Sequence, residues 1–218
     1  MKIEKINQND EYYPKNLLEI YNPPKQLYIL GNKEILNSFN ISIIGCRLNS
    51  KYGENVAKEL SYKLSKLGIV ITSGLAKGID TYSHIGCLNA RGKTIAVLGS
   101  GFYNIYPKEN IKIAKKIVEN GGAIISEYDP NEKPRKENFP SRNRIISGIS
   151  NGVVVVEAKE KSGTFITVDL ALEQGKNIFA VPGNILSKNS QGTNELIKQG
   201  AKIVTKVEDI IEEYINVR

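Results

Sequence analysis

The chain has 218 residues, and its 30 Lys and Arg against 23 Asp and Glu give a formal net charge of +7. Hydrophobic residues make up 40% of the sequence, which is enough for a core and excludes a disordered or fibrous chain. Two Cys and one His exclude a disulfide framework and a histidine-rich metal site. The positive balance favours an acidic partner such as nucleic acid, although lysine is plentiful throughout the chain.

The beginning of the sequence is charged and polar, without the apolar segment of a signal peptide. The longest apolar stretches have the length of a strand and are far too short for a membrane span. We therefore expect a cytoplasmic protein that does not bind a membrane.

After residue 38, short runs rich in Ile and Val alternate with longer amphipathic segments. Runs that are apolar on both faces are typical of strands in a buried parallel sheet. The predicted strands are Ile41–Ile44, Ile69–Thr72, Thr94–Leu98, Ala123–Ser126, Val153–Val156, Ile178–Val181 and Lys202–Val204. The predicted helices are Lys51–Leu67, Ile79–Asn89, Glu109–Asn120, Arg142–Ser150, Phe165–Gln174, Thr193–Gln199 and Val207–Tyr214.

This alternation predicts an α/β fold with a doubly wound, mainly parallel, Rossmann-like sheet. Residues 1–38 precede the first predicted strand and contain Pro14, Pro23 and Pro24. They predict a short, irregular N-terminal extension, which leaves the Rossmann-like domain at residues 39–218.

Glycines, small hydroxyl residues and cations follow the predicted strands, at the edge where ligands bind in open α/β sheets. Glycine lets backbone N–H groups approach a phosphate, and the start of a helix adds partial positive charge. Such turns also need Gly, and helix caps need Ser or Thr, for purely structural reasons. The candidate anion-binding residues are Gly45, Ser73, Gly74, Gly99, Gly101, Ser162, Gly163 and Thr164, with Arg47, Lys77 and Lys108 on the same rim.

Two nucleotide-binding motifs are missing from the sequence. The first predicted strand is not followed by G-x-G-x-x-G, and no G-x-x-x-x-G-K-[ST] string occurs. We therefore expect no nucleotide cofactor and no ATP hydrolysis by a P-loop.

The segment Lys133–Arg144 combines five cations with one aromatic residue. Phe139 in a loop can stack on an unpaired base. Arg142 and Arg144 fall in the first turn of a predicted helix capped by Ser141. The helix dipole disfavours cations in this turn, so their presence suggests that an anion or a carboxylate is held there. The alternatives are that Phe139 lies in the core and that Arg144 pairs with a carboxylate, either Glu157 or Asp169.

Several strings together resemble the DNA processing protein A family (DprA, also called Smf). They occur in a consistent order from about Tyr12 to the end of the chain. They include Ile43–Arg47, Ser73–Asp80, Thr94–Gly101, Tyr106-Pro107, Phe139–Ile146, Glu157-Ala158, Ser162–Thr164 and Val181–Asn184.

The resemblance implies a Rossmann-like domain that binds single-stranded DNA and forms a homodimer. Many members of the family also carry a C-terminal winged-helix domain, which we do not expect in these 218 residues. It implies a recombination mediator, not an enzyme, that loads RecA recombinase during natural transformation. Arg47, Lys136 and Phe139 match DNA-contacting residues of the family. Lys108, Arg142 and Arg144 are further candidate contacts on the rim.

The alternative is a nucleotide-binding enzyme of related architecture that hydrolyses nucleoside monophosphates. Glu157 and Glu173 loosely resemble carboxylates of such enzymes, but their spacing to the Gly163-Thr164 turn differs. His84 and Cys87 are too few for a metal site. We expect Asp80 to stabilise the start of a helix and Glu157 to be buried with a partner such as an arginine.

Overall fold

The computed structural model describes residues 2–215 and forms one mixed sheet of nine strands. The strands are β1 (Glu4–Asn7), β2 (Gln26–Gly31), β3 (Asn40–Ile44), β4 (Val70–Ser73), β5 (Thr94–Val97), β6 (Ala123–Ser126), β7 (Gly152–Val155), β8 (Asn177–Ala180) and β9 (Lys202–Ile203). The last seven match the predicted strands to within one residue at each end.

The strand order is β1-β2-β6-β5-β4-β3-β7-β8-β9, and all pairings from β6 to β9 are parallel. This confirms the doubly wound, mainly parallel sheet. The chain winds outward from β3 in one direction and from β7 in the other. Ligands bind where the winding reverses in such sheets, so the carboxyl ends of β3 and β7 mark the expected site.

The helices cover both faces of the sheet. They are α1 (Lys15–Leu18), α2 (Lys51–Lys66), α3 (Ile79–Asn89), α4 (Ile111–Glu119), α5 (Asn138–Ile149), α6 (Thr164–Glu173), α7 (Lys188–Lys198) and α8 (Glu208–Ile215). Apolar side chains of α5 and α6 pack on one face, and those of α2 and α3 pack on the other. Within residues 2–215, no helix has the length and apolar character needed to cross a bilayer.

The N-terminal segment is not the irregular arm that its prolines suggested. Strand β1 pairs antiparallel with β2, and β2 pairs antiparallel with β6 through Ile29 and Ile125. Leu27 and Ile29 are buried in the core. Pro23 and Pro24 lie in the connection before β2, where they remove no hydrogen bond from the sheet.

Helix α5 begins earlier than its sequence suggested. It starts at Asn138 and includes Phe139 and Pro140 in its first turn, so Ser141 is not its cap. Proline fits this first turn because the missing N–H would have no helical partner there. Helix α7 also starts early, at Lys188 instead of Thr193.

His84 lies in α3 and is buried beneath the sheet, with its Nδ1 2.8 Å from Thr94 Oγ1. Burial lowers the pKa of His84 to about 3, and the charge of Arg142 acts in the same direction. The unfolded chain takes up a proton near its usual pKa while the folded chain does not. Stability therefore falls as the pH drops below about 6.5, by at most about 1.4 kcal/mol per pH unit from this group.

We predict that the His84 imidazole does not titrate in the folded protein between pH 8 and pH 4.5. As the chain has one histidine, its NMR signals can be assigned directly. A midpoint near 6.5 in the folded state would contradict the buried, neutral ring.

Candidate functional site

A groove of about 820 Å³ opens beyond the carboxyl ends of β3 and β7. This is the point of the sheet where the winding reverses, as expected for an α/β ligand site. The groove brings together eight of the predicted site residues: Gly45, Arg47, Lys136, Phe139, Arg142, Ser162, Gly163 and Thr164.

The turn after β3 positions Arg47. A Cβ atom on Gly45 would lie 2.7 Å from Ile79 Cγ1 and 2.8 Å from the Glu157 carbonyl oxygen. Only glycine therefore lets the end of β3 approach both α3 and the end of β7. The chain then turns outward, and the exposed Arg47 lies at the groove.

Phe139, Tyr106 and Arg47 form a cluster that we call the aromatic platform. The Phe139 ring centroid lies 5.6 Å from that of Tyr106 and 5.7 Å from Arg47 Cζ. A Cβ on Gly99 would lie 2.9 Å from Phe139 Cδ1, so the ring rests closely on that turn. Phe139 is half-buried and lines the groove. One part of the ring is thus packed on the Gly99 turn, and another part is accessible to a ligand in the groove.

Arg142 places a fixed positive charge beneath the groove. Its side chain is buried, and Nη1 donates to the carbonyl oxygens of Gly74, at 2.6 Å, and of Val97. Burial lowers the pKa of Arg142 to about 10, while the nearby Asp80 carboxylate opposes that shift. The guanidinium therefore stays charged at neutral pH, while its Nη1 group is bonded to two backbone carbonyl oxygens.

Asp80 lies in the first turn of α3, as expected, but its carboxylate holds the turn that precedes the helix. Its carboxylate accepts hydrogen bonds from the N–H groups of Gly74, at 3.1 Å, and Ala76, at 3.4 Å. Burial raises the pKa of Asp80, and Arg142 and these backbone donors partly offset the shift. Of the described residues that line the groove, Asp80 alone is acidic.

Arg144 does not line the groove. It is buried, and its Nη2 lies 2.6 Å from Glu127 Oε1. Its Nε donates to the Asn22 carbonyl oxygen at 3.0 Å, which ties α5 to the N-terminal segment. The acidic partner of Arg144 is therefore Glu127. The two partners considered from the sequence, Glu157 and Asp169, are both wrong.

Glu157 is buried as expected, but its partners are not cationic. The carboxylate accepts hydrogen bonds from the N–H of Ser50 at 2.9 Å and from its hydroxyl at 2.5 Å, at the N-terminus of α2. Cys46 Sγ lies 3.7 Å from Glu157 Oε2. Burial and this carboxylate raise the pKa of the Cys46 thiol to about 12, so the thiol is protonated and a poor nucleophile.

The other predicted residues lie outside the groove. Lys77 pairs with Glu109 at 2.6 Å and, with Gly74, lines a small adjoining hollow. Ser73 Oγ donates to the Ile43 carbonyl oxygen at 2.7 Å, which is a structural role within the sheet. The Gly101 N–H donates to the Glu132 carbonyl oxygen at 2.8 Å. Lys108 is exposed on the turn before α4.

Of the lining residues that were absent from the predicted site, three carry an aromatic ring or a positive charge: Tyr106, Arg135 and Lys159. Each lies near a strand end or in the basic segment, but the sequence does not reveal which of these side chains reach the groove. Among residues 2–215, no group of three His, Cys, Asp or Glu could hold a metal ion.

The sequence profile of one family, described as DNA recombination-mediator protein A, matches residues 4–215. The chain belongs to the DNA recombination-mediator protein A family. Protein Smf of Escherichia coli K12 is 44% identical over 207 residues, which cover 95% of this chain and 55% of the relative. The chain thus spans about half the length of that member of the recombination-mediator family.

Two solved structures of the family are similar over nearly the whole chain. The X-ray structure of DNA processing protein A from Streptococcus pneumoniae has a TM-score of 0.92 and 42% identity, covering 98% of this chain and 75% of that one. DNA processing protein A from Helicobacter pylori has a TM-score of 0.88 and 30% identity, covering 100% and 97%. The Helicobacter structure concerns the single-stranded DNA binding mode of that protein. These similarities confirm the family resemblance and the Rossmann-like fold.

Proposed function

We propose that the groove binds single-stranded DNA. The observation that carries the proposal is the aromatic platform, which places the half-buried Phe139 ring beside the exposed Arg47. Stacking on an aromatic ring together with backbone cations is the usual way in which proteins hold unpaired strands. The single-stranded DNA binding mode described for the Helicobacter pylori relative supports the same ligand class.

The charges of the groove suit a strand backbone. Arg47 and Lys136 are exposed at its edge, and Arg142 adds buried positive charge below. Lys77, by contrast, pairs with Glu109 and is partly neutralised. We therefore assign the main phosphate contacts to Arg47 and Lys136, and we assign Arg144 a structural role.

The test is a titration of a fluorescent oligo-dT by anisotropy at several salt concentrations. We expect binding that weakens steeply with salt, by about 0.7 log units in affinity per tenfold salt for each neutralised phosphate. A blunt-ended duplex of equal length is the control and should bind much more weakly, because its base faces are not free to stack on Phe139. Equal binding of both ligands would contradict the proposal.

We also propose that the protein acts without catalysis. The carboxylates that a nucleoside-monophosphate hydrolase would need do not face the groove. Glu157 is buried and bonded to Ser50, and Glu173 is exposed at the end of α6. Incubation with AMP should release no adenine, and steady turnover would contradict this assignment.

Membership of the recombination-mediator family supports a finer proposal. We propose that the protein, as a homodimer, loads RecA on incoming single strands during natural transformation. Its addition to RecA and a strand coated with single-strand-binding protein should shorten the lag of filament formation, measured by RecA ATPase activity. An Arg47→Ala variant should lose that effect. An unchanged lag with the unaltered protein would contradict RecA loading. A monomer in analytical ultracentrifugation would contradict the homodimer.

A further inference from the structure

Helix α6 starts at one wall of the groove without a capping side chain. Its N-cap is Gly163, and its first turn contains no acidic residue. The first N–H groups of a helix lack partners within the helix and carry partial positive charge. The Phe165 N–H donates to the Ser162 carbonyl oxygen at 3.1 Å, and no side chain caps the other N–H groups at this end of α6.

Three hydroxyl groups surround this helix start and lack partners in the described part of the chain. Thr164 and Thr167 are 9% and 4% exposed, and both line the groove. No hydrogen bond joins either hydroxyl to another described residue. Ser162 Oγ is fully buried and also unpartnered. Buried polar groups are nearly always hydrogen-bonded, and of these three hydroxyls that of Ser162 is itself buried. The two threonine hydroxyls belong to nearly buried residues that line the groove, so an acceptor in the groove would give them a partner.

Gly163 leaves room for that acceptor. Its φ of −60° and ψ of −12° are ordinary helical values, so the backbone does not require glycine. A Cβ at this position would meet no atom within 4 Å, so packing does not require glycine either. The missing side chain instead keeps the space above the first N–H groups open, as phosphate-binding helix starts need.

The charges around this space also favour an anion. Lys159 and the buried Arg142 line the same groove. A phosphomonoester carries a charge of about −1.5 to −2 and has three terminal oxygens, whereas a phosphodiester has a charge of −1 and two. The N–H groups at the start of α6, with the hydroxyls of Thr164 and Thr167 and the Lys159 ammonium, suit the larger number of oxygens.

We propose that the N-terminus of α6 is a subsite for a phosphomonoester. The group comes from one of two sources: the 5′-phosphate at the end of a DNA strand, or a free nucleoside monophosphate. For the strand end, the inference rests on the proposed function of the groove. For the mononucleotide it stands independently.

The first measurement compares the affinities of oligo-dT with and without a 5′-phosphate. The second compares thymidine 5′-monophosphate with thymidine as competitors of the labelled oligonucleotide. If the source is a strand end, we expect the phosphorylated oligonucleotide to bind at least tenfold more tightly. If it is a mononucleotide, thymidine monophosphate should bind and thymidine should not, with equal binding of both oligonucleotides. Strong, equal binding of both oligonucleotides without any mononucleotide binding overturns the subsite but not the groove. Failure of both oligonucleotides to bind overturns the proposed function instead.

Matched variants locate the effect. Gly163→Ala should abolish the gain from the phosphate while leaving the thermal unfolding curve unchanged, since the added methyl fills only the open space. Lys159→Ala should reduce the gain, whereas Lys161→Ala, an exposed lysine outside the groove lining, should not. Thr167→Val, nearly isosteric, provides a second test. A phosphate gain that survives Gly163→Ala and Thr167→Val overturns the assignment to α6.

Discussion

Replacing Arg142 with methionine is expected to lower the free energy of unfolding by about 1–3 kcal/mol, the usual cost of leaving buried hydrogen-bonding groups without their partner. The change would leave the carbonyl oxygens of Gly74 and Val97 without their shared donor. It would also remove the nearby positive charge that partly offsets the burial of the Asp80 carboxylate. Urea denaturation followed by circular dichroism measures the loss.

Arg47→Met is the matched control, because the same change at an exposed arginine should stay within about 0.5 kcal/mol. The effect of Arg142→Met should also depend on pH. Without the guanidinium, the already raised pKa of Asp80 rises further, so the folded state keeps a proton that the unfolded chain releases. The variant is therefore less destabilised near pH 5 than at pH 8. A loss below 1 kcal/mol at pH 8 would show that Arg142 is not a structural cation.

Phe139→Ala is expected to weaken the binding of oligo-dT by about 1–3 kcal/mol, the range found when a base loses its stacking partner. The ring contacts Arg47 and Tyr106 from two sides, so its removal also loosens the rest of the aromatic platform. Anisotropy titrations at one fixed salt concentration measure the change. Its salt dependence should remain that of the unaltered protein, because no charge is removed.

The control for Phe139→Ala is Tyr103→Ala, which removes an exposed aromatic ring outside the groove. A double variant with Arg47→Ala should lose less affinity than the sum of the two single changes, because the two side chains are in contact. Unchanged affinity in Phe139→Ala, with an intact fold by circular dichroism, would show that no base stacks on this ring.

The strands of the parallel part of the sheet were predictable because each is buried on both faces and so forms a continuous apolar run. The antiparallel pair of β1 and β2 gave no such signal. In β1 only Ile6 is buried, since an edge strand exposes most of its side chains. The nearby Pro23 and Pro24 then suggested irregular structure, although they lie just outside β2.

The site was predictable where its residues directly follow a strand at the reversal of winding, as Arg47 does. The sequence did not predict that Arg142 would line the groove while Arg144 would pair with Glu127 outside it. Residues two apart on a helix point to nearly opposite sides, so only one of them can face the groove. The sequence suggested that both were in the first turn, whereas α5 begins four residues before Arg142. The pairing of Lys77 with Glu109 likewise depends on tertiary contacts.

We propose that a single strand lies in the groove with a base on the aromatic platform. Photocrosslinking of an oligonucleotide that contains 5-iododeoxyuridine, followed by mass spectrometry of the peptides, tests it most directly. We predict crosslinks to Phe139 or Tyr106, which are lost in excess unlabelled oligo-dT. Crosslinks confined to Tyr28 and Tyr103, which line a separate hollow beside β1 and β2, would contradict binding of the strand in the groove.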